Sequence, residues 1–398
     1  MQVRFLQISD LHLGGGVSPA LDLGDGKVAR LRQAPLAALQ AACALARSEA
    51  VEAILIPGDL FDAESVEAET INEAIACLNG VAPIPVLIAP GNHDFYSPDG
   101  YYGRDFLAGR GRSVWGDHVY IFDDGAFRSF SLKPDVRVTG ACFTGNVSVE
   151  DRPLAEPLPV DPWALNILLL HGSREGIGAQ GRKITCPFSD AELLAQPFDY
   201  TALGHYHAHA EIRDAGGTVR AAYAGSPQGR GLDETGEKGA LLVTVAREDG
   251  GRSVSVEFRP LAQHRIHLVE IDVTGLESAS ALVAALETRL AAVGARWDDD
   301  VIVVRLEGRW PRGASPALPE GFAERFFHLA LDRSRVVPDY DLATLERQEH
   351  TVVGAFVRSL LPRLRTEQDE ARRRLLKNAL YYGLDALNDE TVRPRYEE

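Results

Sequence analysis

The sequence predicts an α/β protein. Two packed β-sheets flanked by helices form a four-layer β-sandwich, followed by a smaller α+β and then helical C-terminal region. Three observations predict this. Short apolar runs alternate with helical stretches over the first ninety residues, apolar runs bounded by turn residues recur from 117 to 258, and the pattern changes after about Pro260.

The first run, Val3–Ile8, is a buried strand, and Val28–Ser48 is an Ala/Leu-rich helix. A second strand (Val51–Pro57), a second helix (Ser65–Asn79) and a third strand (Ile84–Ala89) complete a βαβαβ unit. Such alternation covers a sheet on both faces. Residues 117–141 contain short strands between Asp-Asp-Gly and Lys-Pro turns; Ala164–Leu170 and Tyr200–Leu203 are further strands. Thr218–Ala224, Gly239–Ala246 and Ser253–Phe258 form an antiparallel run, which makes the second sheet the more antiparallel one. Beyond Pro260, the strand His267–Val273, the helix Ser278–Val293 and the strand Val301–Leu306 make a compact βαβ unit. The Pro/Gly-rich stretch Trp310–Gly321 is a linker, and helix spacing of Leu342, Leu345, Val352, Val353, Phe356 and Leu360 makes the remainder helical, ending in a helix over Asp369–Leu387.

Composition narrows the function classes. A chain of 398 residues is long enough for one large domain and a smaller one. No run approaches ~18 apolar residues, and the start MQVRFLQISD lacks a signal-peptide pattern, so a cytoplasmic protein without membrane association is expected. Cys43, Cys77, Cys142 and Cys186 are scattered, without the spacing of a zinc knuckle or a disulfide scaffold. The net charge of −16 argues against a module that holds DNA through its phosphates alone. It argues less against a metalloenzyme, whose ions supply local positive charge.

Residues able to ligate metal cluster at strand ends, where ligand sites of α/β folds gather. Strand 1 runs into Asp10 and His12, strand 2 into Asp59 and Asp62, and strand 3 into Asn92, His93 and Asp94. The strand at 164–170 meets His171, and the one at 200–203 meets His205 and His207. In an extended segment residues i and i+2 face the same side, so Asp10/His12 and His205/His207 each aim two ligands at one point. A lone Asp-x-His occurs by chance; five such pieces in series, each after an apolar run, do not. Mixed imidazole, carboxylate and amide ligands suit Mn²⁺, Fe²⁺ or Zn²⁺ better than Ca²⁺ or Mg²⁺. Their number exceeds the needs of one ion, so two ions sharing a carboxylate are expected.

The order D-x-H, GD-x-x-D, GNHD, H and GH-x-H resembles the calcineurin-like metallophosphoesterases. SDLHLG (9–14), GDLFD (58–62), GNHD (91–94), LGHYHAH (203–209) and AGSPQGRGLDETGEKG (224–239) are similar to the SbcD/YhaO-like DNA repair exonucleases. The resemblance implies a metallophosphoesterase sandwich over 1–262, a small βαβ capping domain over 263–312, and a linker with C-terminal helices over 313–398. It implies one ion on Asp10, His12 and His207, another on Asn92, His171 and His205, and Asp59 between them. His93 would be the catalytic group at the scissile phosphate, with Asp62 orienting it; an N-cap before a helix at 63–69 is the competing role for Asp62. The implied activity is Mn²⁺-dependent cleavage of DNA phosphodiesters in repair, with Fe²⁺, Zn²⁺ or Mg²⁺ as other metals. The alternatives are a sibling phosphoesterase acting on cyclic nucleotides, nucleotides or phosphoproteins, and a non-catalytic scaffold.

Arg104 and Tyr101, in a Gly-rich loop after GNHD with Arg110, Arg112 and Tyr102, are candidate substrate contacts; solvated loop charge is the alternative. Arg174, Arg182 and Lys183 carry the same two readings. The resemblance also implies partners: DNA, and a large coiled-coil ATPase of the SbcC type docking on residues 341–390. A homodimer is left open.

Overall fold

The computed structural model describes residues 1–62, 66–145, 152–177, 184–248, 251–312 and 314–388. Contacts divide the chain into two units, Met1–Ile266 and His267–Glu398. Among the described residues no helix is long and apolar enough to cross a membrane.

The first unit opens with β1 (Gln2–Gln7), α1 (Asp25–Ser48), β2 (Ala53–Ile56), α2 (Ala68–Asn79), β3 (Val86–Ile88), α3 (Arg104–Gly109) and β4 (Val119–Ile121). It continues through β5 (Arg128–Lys133), β6 (Val136–Gly140), β7 (Leu165–His171), α4 (Asp190–Ala195), β8 (Tyr200–Gly204), β9 (Ala210–Arg213), β10 (Val219–Tyr223), β11 (Gly239–Glu248) and β12 (Gly251–Pro260). One sheet has the order β12-β11-β1-β2-β3-β4, the other β5-β6-β7-β8-β10-β9. The expected four-layer sandwich is present, since apolar cores lie between α1, α2 and the first sheet, between the sheets, and between the second sheet and α4.

Alternation along β1 shows how the sequence sorts these layers. Val3 and Phe5 pack with Ile167, Leu169 and Tyr200 between the sheets, whereas Leu6 and Ile8 pack with Leu39, Ile71 and Ile75 under the helices. Each such side chain, fully buried, contributes about 1.5–3 kcal/mol. Gln7 follows the inward parity and is fully buried, so its amide needs partners. Its Nε2 donates to the carbonyls of Leu203 (3.2 Å) and Ala222 (2.8 Å), and its Oε1 accepts from the Tyr200 hydroxyl (2.8 Å). These bonds tie β1 of one sheet to β8 and β10 of the other.

The sheets differ from expectation in one respect. The second sheet is not the more antiparallel one, because β6, β7, β8 and β10 run parallel, with β5 and β9 as antiparallel edges. The run Gly239–Pro260 belongs to the first sheet, where β11 pairs antiparallel with β1 over six positions and with β12 on its other side. The apolar pattern of β11 marks a buried strand but carries no record of its partner.

Within the second unit, β13 (Ile266–Asp272), α5 (Ala279–Ala292), β14 (Val301–Trp310) and β15 (His328–Pro338) precede three helices: α6 (Leu342–Arg347), α7 (Val352–Thr366) and α8 (Glu370–Leu387). Strand β15 lies in a stretch expected to hold only linker and helices, and pairs parallel with β14. Its sequence HLALDRSRVVP lacks apolar alternation because its middle is charged. Arg305 meets Asp332 across the strands at 3.0 Å, and Glu270 lies 3.8 Å from both Arg305 and Arg335. Between α7 and α8, Val357, Leu361, Leu380 and Leu384 form an apolar cluster.

Candidate metal centre

Parallel pairing of β1, β2 and β3 in one sheet, and of β7 and β8 in the other, brings five strand ends to one rim. The chain leaving β1 then runs beside the chain leaving β2: the N–H groups of Asp10, His12 and Leu13 donate to the carbonyls of Gly58, Asp59 and Leu60. Asp10, His12 and Asp59 have φ of 54°, 46° and 54°, and His205 has 110°. Their convergence therefore does not come from the same-side alternation of an extended strand, which was the expectation for Asp10/His12 and His205/His207. Left-handed turns, costly for residues with a Cβ and concentrated at functional sites, aim them instead. Gly58 makes this approach feasible at φ 91°, since a Cβ there would collide with the His171 ring.

Two ligand groups share Asp10, and a third, of His12, Asp62 and His93, lies beside them. Asp10, His12 and His207 offer atoms within 4.8 Å of one another, as do Asp10, Asp59 and His171. Asp59 stands between them, with Oδ2 3.6 Å from His12 Nε2 and 3.3 Å from His171 Nε2, while Oδ1 accepts the His93 N–H at 3.0 Å. Asn92 joins the second group through Oδ1, 2.9 Å from His171 Nε2. His205 donates its N–H to Asp10 Oδ1 (2.9 Å), and its ring lies 5.2 Å from that of His171.

The chemistry of these atoms fits a pair of cations. His171 Nδ1 donates to the Pro57 carbonyl at 3.0 Å, so its neutral ring turns the Nε2 lone pair toward Asn92 and Asp59, which present oxygens. His207 Nδ1 lies 2.5 Å from Glu234 Oε1, which leaves its Nε2 lone pair facing His12 Nε2 at 3.2 Å. Electron-rich atoms converging in this way repel unless a cation lies among them. Ligand atoms ~2.1 Å from an ion, at tetrahedral or octahedral angles, stand ~3.0–3.4 Å apart, close to the spacings seen here. Burial opposes charge on His171, but the Asp59 carboxylate and then Asp10 outweigh it and raise its pKa to about 9. Burial likewise opposes charge on Asp59, yet His171, His12 and His93 hold it well below the usual carboxylate range. Burial lowers His12 to about 3, keeping it neutral, and raises Asp10.

His93 stands at the edge of this cluster. Its ring is 4.7 Å from that of His12, its side chain is 46% exposed, and its Nδ1 is 3.4 Å from Asp62 Oδ1. The hydrogen bond to Asp62 raises the His93 pKa, and the same bond lowers that of Asp62. Among the described residues Asp62 caps no helix: α2 begins at Ala68 after Glu67, and residues 63–65 of the expected helix lie outside the described ones. Arg230 Nη1 lies 3.6 Å from Asp62 Oδ2 and Nη2 lies 3.8 Å from Glu234 Oε1.

Arg104 and Tyr101 are not brought into this cluster. Arg104 meets Asp117 at 3.3 Å and donates to the carbonyls of Gly116 and Val119, bracing the segment after α3. Tyr101 packs its ring on Phe61 and accepts the Trp115 indole N–H on its carbonyl. Arg174 is paired with Asp190, and Arg182 and Lys183 lie outside the described residues.

Two carboxylates have roles that the sequence did not assign: Asp94, noted only as part of GNHD, and Glu234. Asp94, fully buried, accepts the N–H groups of Asp59, Leu60, Phe61 and Gly91 and the Tyr102 hydroxyl, so it holds the turns after β2 and β3 in register. Burial and then Asp59 push Asp94 up to about 6. Glu234, also buried, is held at about 2 despite burial, through its bond to His207 and the charges of His207 and Arg230. The signal available for Asp94 was its place directly after Asn92 and His93; for Glu234 it was the tract 224–239.

Comparison with known proteins places this site in context. The family model described as calcineurin-like phosphoesterase matches residues 3–209, a span that contains all seven ligand candidates and His93. Over 331 residues the chain is 26% identical to a Bacillus subtilis (strain 168) protein named uncharacterized metallophosphoesterase YhaO, covering 81% of this chain and 76% of that one. Among solved structures, a dimetal phosphatase from Danio rerio aligns over 65% of this chain and 99% of its own, at 14% identity and a TM-score of 0.40. A 5′-nucleotidase precursor from Thermus thermophilus aligns over 75% of this chain and 60% of its own, at 12% identity and a TM-score of 0.33.

Proposed function

Since the chain belongs to the calcineurin-like phosphoesterases, with the family match covering residues 3–209 of 398, we propose that it is a Mn²⁺-dependent DNA exonuclease acting in DNA repair. The observation that carries hydrolysis of a phosphoester is the convergence of acceptor atoms from Asp10, His12, Asp59, Asn92, His171 and His207. His205 borders the set, with its ring 5.2 Å from that of His171 and its N–H bracing Asp10. Two ions held there supply a water nucleophile at neutral pH and positive charge for the phosphoryl oxygens. The mixture of imidazole, carboxylate and amide donors suits Mn²⁺, Fe²⁺ or Zn²⁺, and the resemblance to SbcD/YhaO-like nucleases favours Mn²⁺ among them.

The protein's own groups account for the rest. His93, half exposed at the cluster's edge, faces the position of a bound phosphate, and Asp62 fixes its Nδ1 proton. That leaves Nε2 to donate a hydrogen bond to a phosphoryl oxygen and a proton to the leaving oxygen. DNA as substrate is supported by the tract 224–239, whose resemblance to SbcD/YhaO-like nucleases motivated the reading and which contacts the site through Glu234. The charge of −16 favours a second reading, hydrolysis of small phosphoesters such as cyclic nucleotides. Digestion of end-labelled single- and double-stranded DNA with and without Mn²⁺, beside hydrolysis of cyclic AMP and a phosphopeptide, separates the two. Mn²⁺-dependent shortening of DNA from its ends is expected; turnover of cyclic AMP with intact DNA would reverse the choice.

Residues 341–390 are proposed to dock a large coiled-coil ATPase. Supporting this are the two amphipathic helices α7 and α8, on which Val352 and Leu375 are 71% and 69% exposed. Because β15 runs to Pro338, a truncation testing this belongs after that residue. Co-purification of the shortened chain with the ATPase would rule the docking site out.

A further inference from the structure

The tract 224–239 closes on His207 from several sides. The Ser226 N–H donates to the His207 carbonyl at 3.2 Å, and Lys238 Nζ donates to the same oxygen at 2.6 Å. Gly225, at φ +79°, passes so close that a Cβ would stand 2.9 Å from both the His207 carbonyl and the His209 nitrogen. Glu234 then reaches the side chain, with Oε1 2.5 Å from His207 Nδ1. It is itself aimed by the Arg230 N–H, which donates to Oε2 at 2.9 Å.

We infer that Glu234 is the positioning residue for His207: it fixes the ring's tautomer and angle so that Nε2 is presented toward Asp10 and His12. This rests on the reading of His207 as a metal ligand. An imidazole has one proton to share between its nitrogens when neutral, and only the nitrogen without it can bind metal. With Glu234 accepting from Nδ1–H, the proton stays on the far side of the ring. Its loss lets the proton move to Nε2, and frees the ring to rotate. Carboxylates behind metal-bound imidazoles typically change affinity by ~10–100-fold. Such a role affects one ion and not the other, because His171 takes its orientation from the Pro57 carbonyl instead.

The test is Mn²⁺ binding to the full chain by titration calorimetry, for wild type, Glu234→Ala and Glu234→Gln. Wild type is expected to bind two ions. Glu234→Ala is expected to bind one with unchanged affinity and the second ~10–100-fold more weakly. Glu234→Gln, which keeps the volume and an acceptor oxygen, is expected between the two, and reports even where the alanine variant folds poorly. Two sites of wild-type affinity in both variants would overturn the inference, as would equal weakening of both sites. A wild-type chain that binds no Mn²⁺ would overturn the metal-centre reading along with it.

Discussion

Replacing His93 with alanine is expected to lower phosphodiester turnover by ~10²–10⁴-fold, the usual contribution of a positioned acid–base group, while both metal ions remain bound. The two halves of this expectation have separate structural sources. The ring of His93 is half exposed and meets Asp62, not the acceptor cluster at Asp59 Oδ2. Its ring also stands edge-on to that of His12 at 4.7 Å, and its backbone N–H donates to Asp59 Oδ1; alanine keeps the second of these contacts. Little packing is lost either, so the fold survives. The measurement is kcat on bis(p-nitrophenyl) phosphate alongside metal content of the purified variant. Near-normal turnover would remove His93 from catalysis; loss of metal would make it a ligand.

Asp59→Ala is expected to act on both ions at once. Its Oδ2 faces His12 in one ligand group and His171 in the other, within hydrogen-bonding or near-contact distance of each. Asp10 is the other carboxylate common to the two groups. Paired ions stabilise the transition state by several kcal/mol, and 1.36 kcal/mol corresponds to tenfold in rate. A loss of at least ~10³-fold in kcat is therefore expected, together with a fall from two bound Mn²⁺ per chain. Activity of the alanine variant within tenfold of wild type, at saturating Mn²⁺, would show that Asp59 bridges nothing of consequence.

The candidate ligand set was legible in the sequence because its members follow apolar strands, and apolar strands are what local pattern reveals best. Asp10, Asp59, Asn92, His171 and His205 arrive at one rim for that reason. The mechanism of their convergence was not legible: nothing in Ser-Asp-Leu-His announces φ of 54° and 46° at Asp10 and His12. Long-range partners were equally hidden. The strand β11 was recognisable from Leu241, Leu242 and Val243, but its place beside β1 is set by tertiary pairing. Strand β15 escaped because its half-buried middle carries cross-strand ion pairs such as Arg305–Asp332, which read locally as solvated charge. Asp94 and Glu234 escaped for a related reason, since one carboxylate in a turn-rich segment looks like an exposed one until its donors are placed around it.

The central claim, two metal ions held by these side chains, is tested most directly by anomalous diffraction from crystals grown with Mn²⁺. Two peaks ~3.5–4 Å apart are expected, one against Asp10, His12 and His207, the other against Asn92, His171 and His205, with Asp59 touching both. A single peak, or metal bound away from these residues, would contradict the account.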